Sequence, residues 1–141
     1  MIHSKQIQRP QRVLVVDDQE INRDALGVIL EDQYEVLFAE NGQACMEQMR
    51  LHSAELSIVL LDLMMPVMTG FEVLEAVRGD EALRHIPIIA LTANAFESDI
   101  QASMDAGMNA HLAKPTDTDC LYSTLKRLIA GGPEAKGGDA P

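Results

Sequence analysis

Tryptophan is absent from this 141-residue chain, cysteine occurs twice, aromatic residues make up 4%, and no uninterrupted apolar run exceeds four residues. Runs that short exclude a membrane-spanning helix and a secretory hydrophobic region. Basic residues are scarce: 11 Lys and Arg stand against 22 Asp and Glu, for a formal net charge of −11. The deficit is even, with five basic and 11 acidic residues in positions 1–70 and six and 11 in 71–141. Direct nucleic-acid binding and anionic-membrane binding need clustered Lys and Arg, so neither is expected. Cys45 and Cys120 form no CxxC pair, and His3, His52, His85 and His111 show no HxH or HxxxH spacing. Neither a disulfide framework nor a zinc site is expected, and two reduced thiols suit a cytoplasmic protein.

What the chain does have is a 47% hydrophobic content, enough for one domain with a real core. Residues 1–11 are polar and aperiodic, and 131–141 carry four glycines and two prolines. Both ends read as flexible extensions around a domain over 12–130. Short β-branched and leucine-rich runs at 12–16, 34–39, 56–61, 86–91 and 110–113 predict five strands. Between and after them, apolar residues recur at helical spacing. Ile21, Ala25, Val28 and Ile29 predict one apolar helix face, and Leu121, Leu125, Leu128 and Ile129 another. Cys45, Met46 and Met49, then Phe71, Leu74 and Val77, then Phe96, Ile100 and Met104 supply three more. Strands apolar on both faces that alternate with helices call for a parallel α/β sheet covered on each side. Ligands bind such sheets at the C-terminal strand ends.

Those ends carry chemistry. The first strand runs into Asp17 and Asp18, the third into Asp62, the fourth into Thr92, and the fifth through His111 toward Lys114 and Pro115. Each alone has a plain structural explanation: Asp18 or Thr92 as a helix cap, Lys114 as an exposed lysine. Three carboxylates at one sheet edge repel one another unless a cation lies between them, and Mg²⁺ with its hard oxygen ligands is the simplest such cation. Carboxylate, metal, hydroxyl and ammonium together are the parts needed to place a phosphoryl group on an aspartate. Met64, Met65 and Met68 cluster nearby, but hard carboxylates surround them, so they read as packing residues.

The stretches VLVVDDQEINR, LLDLMMPVMTGFEVL, IIALTA and HLAKP, with intervals of 45, 30 and 22 residues between Asp17, Asp62, Thr92 and Lys114, resemble the receiver domain of two-component response regulators, the CheY-like superfamily. The resemblance covers about residues 11–130. It implies a flavodoxin-like (βα)5 doubly wound fold with strand order 2-1-3-4-5. It also implies Asp62 as the phosphoacceptor, served by a phosphohistidine on a histidine kinase or histidine phosphotransfer protein. Asp17, Asp18, Asp62 and the backbone carbonyl of Met64 would hold Mg²⁺, Lys114 and Thr92 would contact the phosphoryl oxygens, and Pro115 would be a cis-proline that aims Lys114. The output surface implied comprises the fourth predicted helix, fifth strand and fifth predicted helix, at 95–107, 110–113 and 117–130, and extends to a phosphorylation-dependent homodimer. Two departures stand out. Thr69 occupies a position where Asp or Asn is common, an effect expected to be confined to a turn. His111 replaces the Tyr or Phe coupled to Thr92 in many relatives, and an imidazole also hydrogen-bonds and protonates. A haloacid-dehalogenase-type phosphatase would need a second aspartate two positions after the nucleophile, where Met64 stands. A pseudo-receiver serving only for docking or dimerisation would not need the five site residues.

Overall fold

A computed structural model describes residues 11–63, 65, 68–92, 101, 104, 105, 107–114 and 116–139, with side chains as far as Ile129 in the last helix. The elements run β1 (Arg12–Val16), α1 (Glu20–Leu30), β2 (Glu35–Ala39), α2 (Gly42–Leu51), β3 (Leu56–Asp62), α3 (Gly70–Arg78), β4 (Ile88–Thr92), β5 (Ala110–Ala113) and α4 (Thr118–Asp139). All five strands pair in parallel in the order β2-β1-β3-β4-β5, the flavodoxin-like arrangement expected. Most of the helix expected at 95–107 lies outside the described residues. The last helix had been expected to end near Ala130; its backbone runs on to Asp139, and the last described buried side chain is Leu128.

Alternation along the strands divides the core in two. Val13 and Val15 of β1 and Ile58 and Leu60 of β3 face α1 and α4, where Leu26, Leu30, Leu121, Leu125 and Leu128 cover them. Leu14, Val16, Val59 and Leu61 face α2 and α3, meeting Cys45, Met46, Met49, Val73, Leu74 and Val77. Met65 belongs to this second core and Met68 packs against it, so packing is what these two methionines do.

The apolar face predicted for α1 is corrected. Ile21 and Val28 are 74% and 67% exposed and Ala25 is exposed too; of the predicted residues Ile29 packs against the core, partly buried, beside the buried Leu26 and Leu30. Spacing alone defines two candidate stripes on this helix. The entry angle from β1 decides between them, and Gly27 lets α1 approach the sheet edge: a Cβ there would lie 2.7 Å from Cζ of Phe38.

Thr69 proves to be an N-cap. Its hydroxyl accepts the Glu72 N–H at 3.2 Å while the Glu72 carboxylate accepts the Thr69 N–H at 2.8 Å, a reciprocal capping box that starts α3. Thr69→Ala is expected to cost about 1 kcal/mol of unfolding free energy in urea, with the slope against denaturant unchanged. At the other end of α3, Arg78 donates to the carbonyls of Arg84 and Gly107 and to Oδ1 of Asn109, each at 2.8 Å. That same Oδ1 accepts the Ile88 N–H at 2.8 Å, so the starts of β4 and β5 are tied together. Burial pushes the Arg78 guanidinium below its ordinary pKa.

Candidate functional site

Register assembles the site. Val16 of β1 lies beside Leu61 of β3, so Asp17 and Asp62 leave neighbouring strand ends together. Asp62 pairs with Leu91, and Thr92 with Ala113, which brings the end of β4 next to Lys114. The Lys114 N–H donates to the carbonyl of Thr92 at 2.9 Å and fixes the exit of β5. Four segments distant in sequence thus open on one edge.

One carboxylate oxygen from each of Asp17, Asp18 and Asp62 lies within 4.8 Å of the others. Asp17 and Asp62 are buried and Asp18 is exposed. The Lys114 ammonium bridges the two buried acids, 2.9 Å from Oδ2 of Asp17 and 3.2 Å from Oδ2 of Asp62. Burial pulls the Lys114 pKa down, but the hydrogen bond to Asp17 and the charges of Asp62 and Asp17 outweigh it, and the net direction is up. Lysine is therefore the cation that first answers the carboxylate repulsion argued from sequence. Three carboxylates and one ammonium still leave a formal charge of −2 on hard oxygen donors, which fits a divalent cation such as Mg²⁺.

Asp17 is held on every side. Its Oδ1 accepts the Gln19 N–H at 2.9 Å and the Asn22 amide at 3.4 Å, and its carbonyl accepts Arg23 at 2.8 Å. Asp18 is not the helix cap: Gln19 holds the N-cap position of α1, without a side-chain cap bond. Asn22 and Arg23 were missed from sequence. The available signal was that α1 starts three residues after Asp17, so polar residues in its first turn fall beside the strand end.

Thr92, at the end of β4, is buried. Thr92 and His111 share one sheet face, because His111 pairs with Ala90 and Ala113 with Thr92. His111 is half-buried there. Met64 and Pro115 lie outside the described residues. Beside the site, a cleft of about 140 Å³ between α1 and Thr116 is bordered by Asp17, Ala25, Ile29 and Lys114.

Residues 13–126 match the response regulator receiver domain family. A polar-differentiation response regulator, DivK of Brucella anthropi, is 32% identical over 121 residues, covering 85% of this chain and 97% of that protein. The hybrid signal transduction histidine kinase M of Dictyostelium discoideum is 35% identical over 121 residues, 83% of this chain but 5% of that much longer protein. Among solved structures, the complex of the Saccharomyces cerevisiae histidine phosphotransfer signalling protein Ypd1 with the receiver domain of its downstream response regulator Ssk1 gives a TM-score of 0.78 at 26% identity, covering 85% of this chain and 89% of that one.

Proposed function

The chain belongs to the response regulator receiver domain family of two-component signalling, and on that premise we propose that it accepts a phosphoryl group onto Asp62 from a phosphohistidine of a histidine kinase or histidine phosphotransfer protein. The observation that carries this reading is the cluster of Asp17, Asp18 and Asp62 within 4.8 Å, bridged by Lys114. In the transfer, a carboxylate oxygen of Asp62 attacks phosphorus, the bond from phosphorus to imidazole nitrogen breaks, and that nitrogen keeps the electron pair. Asp17, Asp18 and Asp62 would hold Mg²⁺, with the Met64 carbonyl as a further ligand. When bound, Mg²⁺ supplies neutralisation of the phosphoryl oxygens.

Lys114 exchanges its bridge between two carboxylates for a phosphoryl oxygen. Thr92 donates its hydroxyl to another oxygen. That new charge-assisted bond draws Thr92 and the chain after it inward and biases the surface of 95–107, Ala110–Ala113 and 117–130 toward a second arrangement. The output is control of a partner, an attached domain or a second copy of the chain, without turnover of an outside substrate. The cleft between α1 and Thr116 supports approach of the phosphodonor from that side. Two free cysteines support a cytoplasmic address, and among the described residues no helix is long and apolar enough to cross a membrane.

Acetyl phosphate with Mg²⁺ is expected to add one phosphoryl group by intact mass; an unlabelled chain beside a normally labelled control receiver would refute the proposal. The position of His111 on the face of Thr92 supports a part for it in the switch. His111→Tyr is expected to keep, and His111→Ala to blunt, the change in amide hydrogen exchange across 108–129 on phosphorylation. Identical traces for wild type and both variants would remove His111 from that role.

A further inference from the structure

The face of the sheet toward α1 and α4 is under-covered. Two helices, α1 and α4, cover this face, and the cover is thinnest at β2. β2 is an edge strand, beside α1. Val36 packs only partly against the core there, and Phe38, on the same face, is 42% exposed with its ring lying over Gly27. Val28, 67% exposed, forms the helix side of the resulting groove of about 630 Å³. Its charged lining residues are Asp24 on the exposed side of α1, Glu31 at the C-cap of that helix and Glu35 on β2, and none is Lys or Arg. Glu35 is already paired with Arg12 at the strand start, so Asp24 and Glu31 set the sign of the rim.

We propose that this groove docks a basic amphipathic helix of a partner protein, laid beside α1 over β2. Val28, Val36 and Phe38 offer the occupant an apolar face between α1 and β2, and the acidic rim sets its charge. A second copy of this chain is disfavoured, since two molecules of net charge −11 would bring like charges together. The groove lies along the sheet edge, away from the cleft bordered by Asp17 and Lys114, so docking there leaves the phosphoryl site open.

Fluorescence anisotropy with a labelled Leu/Lys amphipathic helical peptide tests the proposal, with its Leu/Glu counterpart as control. The Leu/Lys peptide is expected to bind saturably and one to one, and the Leu/Glu peptide not to bind. Val28→Asp combined with Phe38→Ser should weaken binding about tenfold or more, and so should Asp24→Lys combined with Glu31→Lys. The charge-reversal pair changes only exposed positions, so it remains decisive if the apolar pair loses stability. Amide shifts during titration should cluster at 24–31 and 35–38. Equal binding by wild type and the charge-reversal variant, absence of binding, or shifts centred elsewhere would overturn the proposal. A Val28-dependent dimer in sedimentation would overturn it as well, by assigning the surface to a second copy.

Discussion

Asp62→Asn is expected to take up no phosphoryl group from acetyl phosphate and Mg²⁺ under conditions that label the wild type completely. An amide oxygen carries no negative charge and is a poor nucleophile, and the substitution removes one of the three carboxylates drawn within 4.8 Å. The loss should be of chemistry rather than of fold. Asp62 and Asn have the same shape, and removing one buried charge relieves repulsion with Asp17, which keeps its own bond to Lys114 at 2.9 Å. Thermal melting should therefore stay at or above the wild-type midpoint while the mass adduct disappears. An adduct of equal yield on the variant would move the phosphoacceptor elsewhere, and an unfolded variant would show that Asp62 is first a structural residue.

Replacing Gly70 with valine should damage both stability and labelling. A Cβ at this first residue of α3 would stand 2.7 Å from the carbonyl oxygen of Asp62 and 2.8 Å from Cα of Leu63. Both are backbone atoms, so no side-chain rotation relieves the clash, and the strand end bearing the phosphoacceptor must move. Overpacking against backbone is expected to cost about 2–4 kcal/mol in urea unfolding and to slow phosphorylation of whatever remains folded. Gly79 gives the contrast. It closes α3 at φ −85°, and its nearest contact to an added Cβ is an ordinary 3.5 Å. Gly79→Ala should be neutral or stabilise by up to about 1 kcal/mol. Equal behaviour of the two variants would remove close approach as the reason for Gly70.

How far the sequence could be read depended on whether a pattern had one physical solution. The run at 56–61 is β-branched and leucine-rich, too short for a helix and apolar at every position except Ser57, so a central strand was the only outcome. Leu121, Leu125 and Leu128 likewise define a single stripe, and all three are buried. On α1, by contrast, Ile21, Ala25, Val28 and Ile29 compete with Leu26 and Leu30, and of the expected stripe Ile29 packs against the core. The capping box of Thr69 was legible in principle from the Glu three residues on, yet the position read as a mere turn.

The sequence by itself determined which chemistry stands at the strand ends, because a strand of known polarity must deliver the residue that follows it to its C-terminal edge. Asp17, Asp62, Thr92 and Lys114 needed no coordinates for that. Only the tertiary structure decided how they meet. Strand order and register place β1, β3, β4 and β5 side by side, and this lets one ammonium bridge Asp17 and Asp62 across 97 and 52 residues of chain. The same packing left β2 half covered, with Phe38 exposed, because no local pattern records which side of α1 turns toward the sheet.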